Sequence, residues 1–316
     1  MKLVVCNDWW SDKQAHYLNK DGFLRALGVL RDEYGWETKF IKFADDPGSF
    51  NHEYIRYEYS TNVKEAVLSE EPDAILVFGD LSRPLLGELR DCGIPVALAF
   101  TGGLFDQYED VPKVIFVESK VYYDRFKSHG RNVVRAFGTN TDIFHPTPQP
   151  KLFDACYPST MALWKRSHLF AEALGSKGIA CGWFQPHEPQ VWEEYQKHGV
   201  FLLHHQNAES VNLIYNASKT CVVTAGSDGG CQRTVLEAMA CGIPVVAMND
   251  SDKTTEYVLE SGFGRIVAPQ PSAILAAVQD LIVEAPNPQV GIDYINSKYT
   301  QHHYAKALKE GIEGIL

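Results

Sequence analysis

The chain has 316 residues, 45% hydrophobic and 22% charged, the composition of a soluble globular protein long enough for two domains that each bury a core. No segment approaches the roughly 20 consecutive apolar residues that span a bilayer, which excludes an integral helical membrane protein. A formal net charge of −11 gives no global attraction to nucleic acid or anionic lipid, although Arg125, Lys127, Arg131 and Arg135 lie close enough in sequence to form a local basic face. Seven cysteines, an odd number without a Cys-x-x-Cys pair or a histidine spaced to complete a zinc site, read as buried free thiols of a reducing compartment. The apolar part of Met1–Asp8 is too short for a secretion signal and reads as a first strand, so a cytoplasmic protein is expected.

Strand-like runs then alternate with helical patterns, as in parallel α/β units. Leu3–Cys6, Thr38–Phe43, Ala74–Phe78, Val96–Phe100 and Val114–Val117 form one set of strands, with helices expected over Gly22–Tyr34, Val63–Ser69 and Pro84–Asp91. "FHPTPQPK" at 144–151 has three prolines in eight residues and reads as a linker. A second set of strands begins near Phe153 and continues through Ile179–Trp183, Val200–Leu203, Thr220–Thr224, Pro244–Met248 and Gly264–Val267, before a final helix near Tyr304–Ile315.

"CGIPVALAF" at Cys92–Phe100 recurs as "CGIPVVAM" at Cys241–Met248, each time after a helical pattern. A left-handed glycine (Gly93, Gly242) ending the helix and a proline (Pro95, Pro244) opening the strand explain both copies. Either a true repeat or a common helix-to-strand connection produces the likeness, and both indicate two similar α/β domains. A ligand of such a pair is expected at the carboxyl ends of the strands, in the cleft between the domains.

After the strand Thr220–Thr224 comes the glycine-rich turn Gly226-Ser227-Asp228-Gly229-Gly230, then a helix. Backbone amides at such a helix start, free of side chains, suit a phosphate; a simple tight turn is the alternative. The pattern is neither a P-loop nor the dinucleotide fingerprint. Two turns into the helix, Glu237 stands among Val235, Leu236 and Met239, where a carboxylate needs donors. Arg233 at i−4 is one source, and the vicinal hydroxyls of a ribose are another.

At this point the sequence resembles a family. "TAGSDGGCQRTVLEAMACGIPVVA" is similar to the donor-site segment of the GT-B glycosyltransferases of family 4, most closely from Val235 to Ala247. "VIFVESKVYYDRFKSHGRNVVRAFGTNTDIFHP" (Val114–Pro146), "WKRSHLFAEAL" (Trp164–Leu174) and "GFGRIVAP" (Gly262–Pro269) resemble further family segments in the family's order. The resemblance covers Val114 to the end of the sequence; before that only the order of strands and helices agrees.

The resemblance implies an α/β fold of two Rossmann-like domains, an N-terminal acceptor domain over 1–142, a hinge at 143–151, a nucleotide-sugar domain over 152–300 and a helix over 301–316 that crosses back. It implies sugar transfer from a nucleoside diphosphate sugar to an acceptor hydroxyl, with retention of configuration and with neither cofactor nor metal. Glu237 matches the glutamate that bonds the ribose, and Lys165 the lysine that contacts the diphosphate. Gly229 and Gly230 match the loop lying against the donor, and "HHQNAESV", with His205 and Gln206, the loop that holds the base. Ser159 and Thr160 are expected to help carry the leaving charge. His204 and His205 lack a third ligand for a metal.

Three departures stand out. The family glutamate eight positions before Glu237 is here Gly229, with Asp228 beside it as the expected substitute. The Gly-Arg before the lysine is replaced by Pro158-Ser159-Thr160. In the first domain, "NDWWSDKQAH" stands for a Gly-Gly loop and Thr101-Gly102-Gly103 for a histidine. Trp9, Trp10, His16, Thr101 and Gly102 are therefore the acceptor-side candidates, with aromatic rings suited to stacking on a sugar or base. A glycan or small-molecule acceptor is expected; the alternatives are a hydroxymethylated base in DNA, a non-catalytic nucleotide-sugar binder, and a GT-B sugar epimerase.

Overall fold

The computed structural model describes residues 1–8, 20–79, 83–102, 107–184, 188–227 and 232–316. Two compact units divide the chain: Met1–Phe137 with Gln301–Leu316, and Gly138–Thr300.

The first unit begins with β1 (Lys2–Asn7), α1 (Gly22–Tyr34), β2 (Glu37–Phe43), β3 (Gly48–Asn51), β4 (Arg56–Ser60) and α2 (Val63–Ser69). It continues through β5 (Ala74–Phe78), α3 (Arg83–Leu89), β6 (Val96–Phe100), β7 (Val114–Val117), α4 (Lys120–Ser128) and β8 (Val133–Arg135). Its eight-stranded sheet has the order β3-β4-β2-β1-β5-β6-β7-β8, parallel except where β3 meets β4. β6 is buried at every position, which is why it reads as an unbroken apolar run: helices cover a parallel sheet on both faces. One apolar cluster, with Val5, Leu27 and Phe40, fills one face, and another, with Val4, Ile75 and Phe126, the other. The Asp21 side chain accepts from the Leu24 amide at 2.8 Å and fixes the start of α1, and left-handed Gly35 ends it.

In the second unit follow β9 (Phe153–Pro158), a 3₁₀ turn (Leu163–Lys165), α5 (Ser167–Leu174), β10 (Gly178–Cys181), α6 (Pro189–Lys197), β11 (Phe201–Leu203) and α7 (Ala208–Asn216). Then come β12 (Ser218–Val223), α8 (Arg233–Ala240), β13 (Val245–Met248), α9 (Asp252–Ser261), β14 (Gly264–Val267), α10 (Pro271–Glu284) and α11 (Gln289–Lys298). The six strands run in the order β11-β10-β9-β12-β13-β14, all parallel. β9 pairs with β10 on one side and β12 on the other, so the order reverses between β9 and β12. That switch point is where loops leave in opposite directions and open a crevice. Last, α12 (Gln301–Glu313) returns to the first unit, with Tyr304, Ala305, Leu308 and Ile312 in its apolar cluster.

Several local expectations needed adjustment. The sequence pattern did not announce β3 or β4, which form an aromatic edge, with Phe50 stacked on Tyr57 at 4.9 Å. The helix anticipated from Trp164 starts at Ser167, because left-handed Arg166 (φ 52°) separates it from the 3₁₀ turn. The proline-bearing stretch 144–151 is fastened to the second unit: the amides of His145 and Thr147 donate to the Asn212 and Asn216 side chains, and Lys151 donates to the Ser218 carbonyl. Gly93 (φ 77°) and Gly242 (φ 70°) are both left-handed, as the duplicated stretch requires. The basic run of the first unit is interrupted by acids, with Arg131 3.9 Å from Glu109 and Lys120 bonded to Asp124. Among the described residues no helix is long and apolar enough to cross a membrane.

Candidate functional site

At the switch point of the second unit the end of β9 leads into Ser159, Thr160 and Lys165, and Lys165 meets Gln232 just before α8. Ser159 and Thr160 leave the end of β9, and the amide of Ser159 donates to the Cys181 carbonyl at 2.9 Å. The Ser159 hydroxyl lies out of solvent and finds no hydrogen-bond partner among the described residues. Leu163–Lys165 then turn back as a 3₁₀ helix, so that Lys165 points inward and is only 8% exposed.

Two side chains meet the Lys165 ammonium. Nζ donates to the Gln232 side-chain oxygen and lies 4.2 Å from the centre of the Trp164 ring. Neither is an anion. Burial pushes the Lys165 pKa from 10.5 down to about 7. The backbone around it is tied down, since the Lys165 carbonyl accepts from the hydroxyls of Thr224 at 2.6 Å and Tyr157 at 3.3 Å. A fixed ammonium whose partners among the described residues are both neutral is suited to an anionic ligand.

Glu237 lies on α8, whose apolar face packs Val235, Leu236 and Met239 into the core and leaves Glu237 half-buried at the edge. Its bonding partner is Tyr215 on α7, whose hydroxyl donates to Oε2 at 2.8 Å. Desolvation raises the carboxyl pKa, while the charge of Arg233 and the Tyr215 hydrogen bond oppose the rise. Tyr215 itself keeps its proton, because burial and then the Glu237 charge push its pKa far up. The i−4 arginine thus acts through its charge, and the orienting hydrogen bond comes from a residue the sequence did not suggest. A tyrosine 22 positions upstream carries no local signal of this contact.

His204 and His205 follow β11 and are engaged by aromatic rings: His204 stacks on Trp192 at 4.7 Å, and His205 meets Trp183 edge-on at 5.4 Å. Gln206 donates to the carbonyls of His204 and His205. The one group of three metal-ligating side chains found among the described residues is Glu172, Glu194 and His198, on the surface of α5 and α6. In the first unit, Thr101 and Gly102 leave the end of β6. Asp228, Gly229, Gly230, Trp9, Trp10 and His16 lie outside the described residues.

Residues 178–284, which include Glu237, match the family model described as Glycosyl transferases group 1. A search of curated proteins finds no match to the chain. Among solved structures, the sucrose-phosphate synthase of Thermosynechococcus elongatus superposes with a TM-score of 0.77 at 16% identity, over 98% of this chain and 97% of that one. Anabaena Alr3699/HepE, in complex with UDP and glucose, gives 0.76 at 14% identity, over 99% and 100%. A trehalose-6-phosphate protein from E. coli bound with UDP-2-fluoro glucose gives 0.73 at 11% identity, over the whole of both chains. Identities this low speak for the fold alone. The chain has the fold of GT-B glycosyltransferases, and within its second unit residues 178–284 match the model of Glycosyl transferases group 1.

Proposed function

We propose that the protein transfers a sugar from a nucleoside diphosphate sugar to an acceptor hydroxyl, with retention and without a metal or cofactor. The observation that carries this reading is Lys165, a buried ammonium at the switch point of the second unit whose partners among the described residues are a ring and an amide oxygen. A diphosphate supplies an anion for it. In the transfer the bond from the sugar's anomeric carbon to the phosphate oxygen breaks, the acceptor oxygen bonds to that carbon, and the acceptor proton passes to the departing phosphate. Lys165 offsets charge that grows on the leaving group, and so contributes more to the transition state than to the bound donor. Glu237, oriented by Tyr215, accepts hydrogen bonds from the ribose. Ser159 and Thr160 donate to the phosphates, the loop with His205 and Gln206 receives the base, and Asp228 is assigned to the donor sugar. Structural relatives bound to UDP and glucose or to UDP-2-fluoro glucose support a uridine donor as the first to try.

A thermal-shift screen of UDP, GDP and their sugars tests the binding half, since a saturating ligand at a hundredfold its Kd raises stability by about 2.7 kcal/mol. Donor cleavage without added acceptor tests the chemistry, in the presence of a chelator. No shift with any nucleotide refutes the donor site. Binding without cleavage points to a binder, and a strict requirement for a divalent ion contradicts the mechanism.

A further inference from the structure

Arg166 follows Lys165 and occupies the left-handed region, φ 52° and ψ 45°, although it carries a side chain that makes this conformation costly. Its guanidinium accounts for the position. Nε donates to the Thr224 carbonyl at 2.6 Å, and the two Nη atoms donate to the two carboxylate oxygens of Asp250 at 2.6 and 2.9 Å. Thr224 returns the contact, its hydroxyl donating to the Lys165 carbonyl at 2.6 Å. Asp250 follows β13, so one side chain fastens the end of β12 to the end of β13. The Arg166 pair holds the Asp250 carboxyl below the ordinary aspartate range.

The same guanidinium supports the glycine-rich loop. A Cβ placed on Gly226 would lie 3.2, 3.3 and 3.4 Å from Cζ, Nη2 and Nη1 of Arg166. Three nearly equal distances mean that Gly226 rests on the flat face of the guanidinium, so that a side chain there would make the guanidinium shift by a few tenths of an ångström. Lys253 grips the next residue, its Nζ donating to the Ser227 carbonyl. Two roles are open to an arginine here: a second cation for the diphosphate, replacing the one absent at Ser159-Thr160, or a support for the loop. The guanidinium has both edges committed, to Thr224 and Asp250, and one face against Gly226, which favours the support.

We infer that Arg166, locked by Asp250, is a positioning residue that holds Gly226 and Ser227, the described start of the glycine-rich turn, at the end of β12, where Thr224 ties the backbone of Lys165. The inference rests on the proposed donor site for its catalytic consequence but not for its structural one. Both are tested with Arg166→Lys, which keeps the charge and loses the fork, and Asp250→Asn, which keeps the shape and loses the lock. Without ligand, backbone amide order parameters of Gly226 and Ser227 are expected at the rigid value of about 0.85 in the wild type and below about 0.6 in both variants. With UDP- or GDP-glucose, each variant is expected to cleave donor at least tenfold more slowly at saturation, while the Kd for bare UDP or GDP changes less than about threefold. Unchanged order parameters in both variants overturn the inference. So do wild-type turnover in Arg166→Lys and tighter nucleotide binding in Asp250→Asn, the two results expected of a phosphate-binding cation. If the wild type binds no nucleotide, the donor reading has failed, and the order parameters still decide whether Arg166 holds the loop.

Discussion

Replacing Lys165 with methionine keeps the aliphatic stem and removes the ammonium. Burial brings the Lys165 pKa from 10.5 to about 7, and that gap of about 3.5 units at 1.36 kcal/mol each is a gross penalty of about 5 kcal/mol for holding the charged form. A gain of at most about 5 kcal/mol, the whole span of that linkage, is therefore expected for Lys165→Met at pH 6. The sign follows from the lowered pKa: below pH 7 both folded and unfolded lysine are protonated and the penalty is fully present. As pH rises from about 7 to 10.5 the unfolded chain holds the proton that the folded protein has released, so wild-type stability climbs. Urea denaturation from pH 6 to pH 10 should show the variant more stable at the acid end and the two proteins converging at the alkaline end. Saturating UDP or GDP should narrow the gap at pH 6 by stabilising the wild type more than the variant. A variant less stable than the wild type at pH 6, with parallel pH profiles, would refute the reasoning, because the ammonium would then already have a counter-ion.

Three further outcomes are expected. Glu237→Gln should weaken nucleotide-sugar binding about ten- to a hundredfold, read by calorimetry, since one charge-assisted hydrogen bond is worth roughly 1.5–3 kcal/mol; equal affinity in a folded variant removes the ribose assignment. Tyr215→Phe deletes the hydroxyl that orients Glu237 at 2.8 Å and should cost about threefold to tenfold in the same assay, with no effect once Glu237→Gln is present. Asp228→Ala should depress sugar transfer about as severely as Glu237→Gln while leaving the affinity for bare nucleotide nearly intact, and wild-type transfer by this variant would point to an unusual donor sugar instead.

The alternation of strand and helix was legible because parallel strands covered on both faces are continuous apolar runs: Val96–Phe100 is buried at every position. β3 and β4 were not, because only one face of that edge is buried and its aromatic residues alternate with Ser49, Arg56 and Glu58. At the site, Glu237 was visible as the one carboxylate on an apolar helix face, and Lys165 by its resemblance to a family segment. Their partners were invisible for a physical reason. Tyr215, Gln232 and Asp250 meet Glu237, Lys165 and Arg166 across separations of 22, 67 and 84 residues, contacts that only the closed sheet creates. The left-handed backbone at Arg166 had no cue either, because left-handed residues are usually glycine or asparagine.

The return of α12 to the first unit has a consequence for synthesis on the ribosome. Gly138–Thr300 is one uninterrupted insertion whose two ends meet, the Thr139 amide donating to the Tyr299 carbonyl at 2.8 Å. Every residue of that unit has been made before the codon for Gln301 is read, so it can fold while the earlier unit is still incomplete. The first-made unit waits for Tyr304, Ala305, Leu308 and Ile312 to fill its core. Nascent chains therefore pass through a stage in which the later segment is native and the earlier one holds an open apolar groove, the stage at which a chaperone is needed most. A premature stop at 300 leaves that groove permanently uncovered and should give an aggregating product, even though every residue named in the donor site is present.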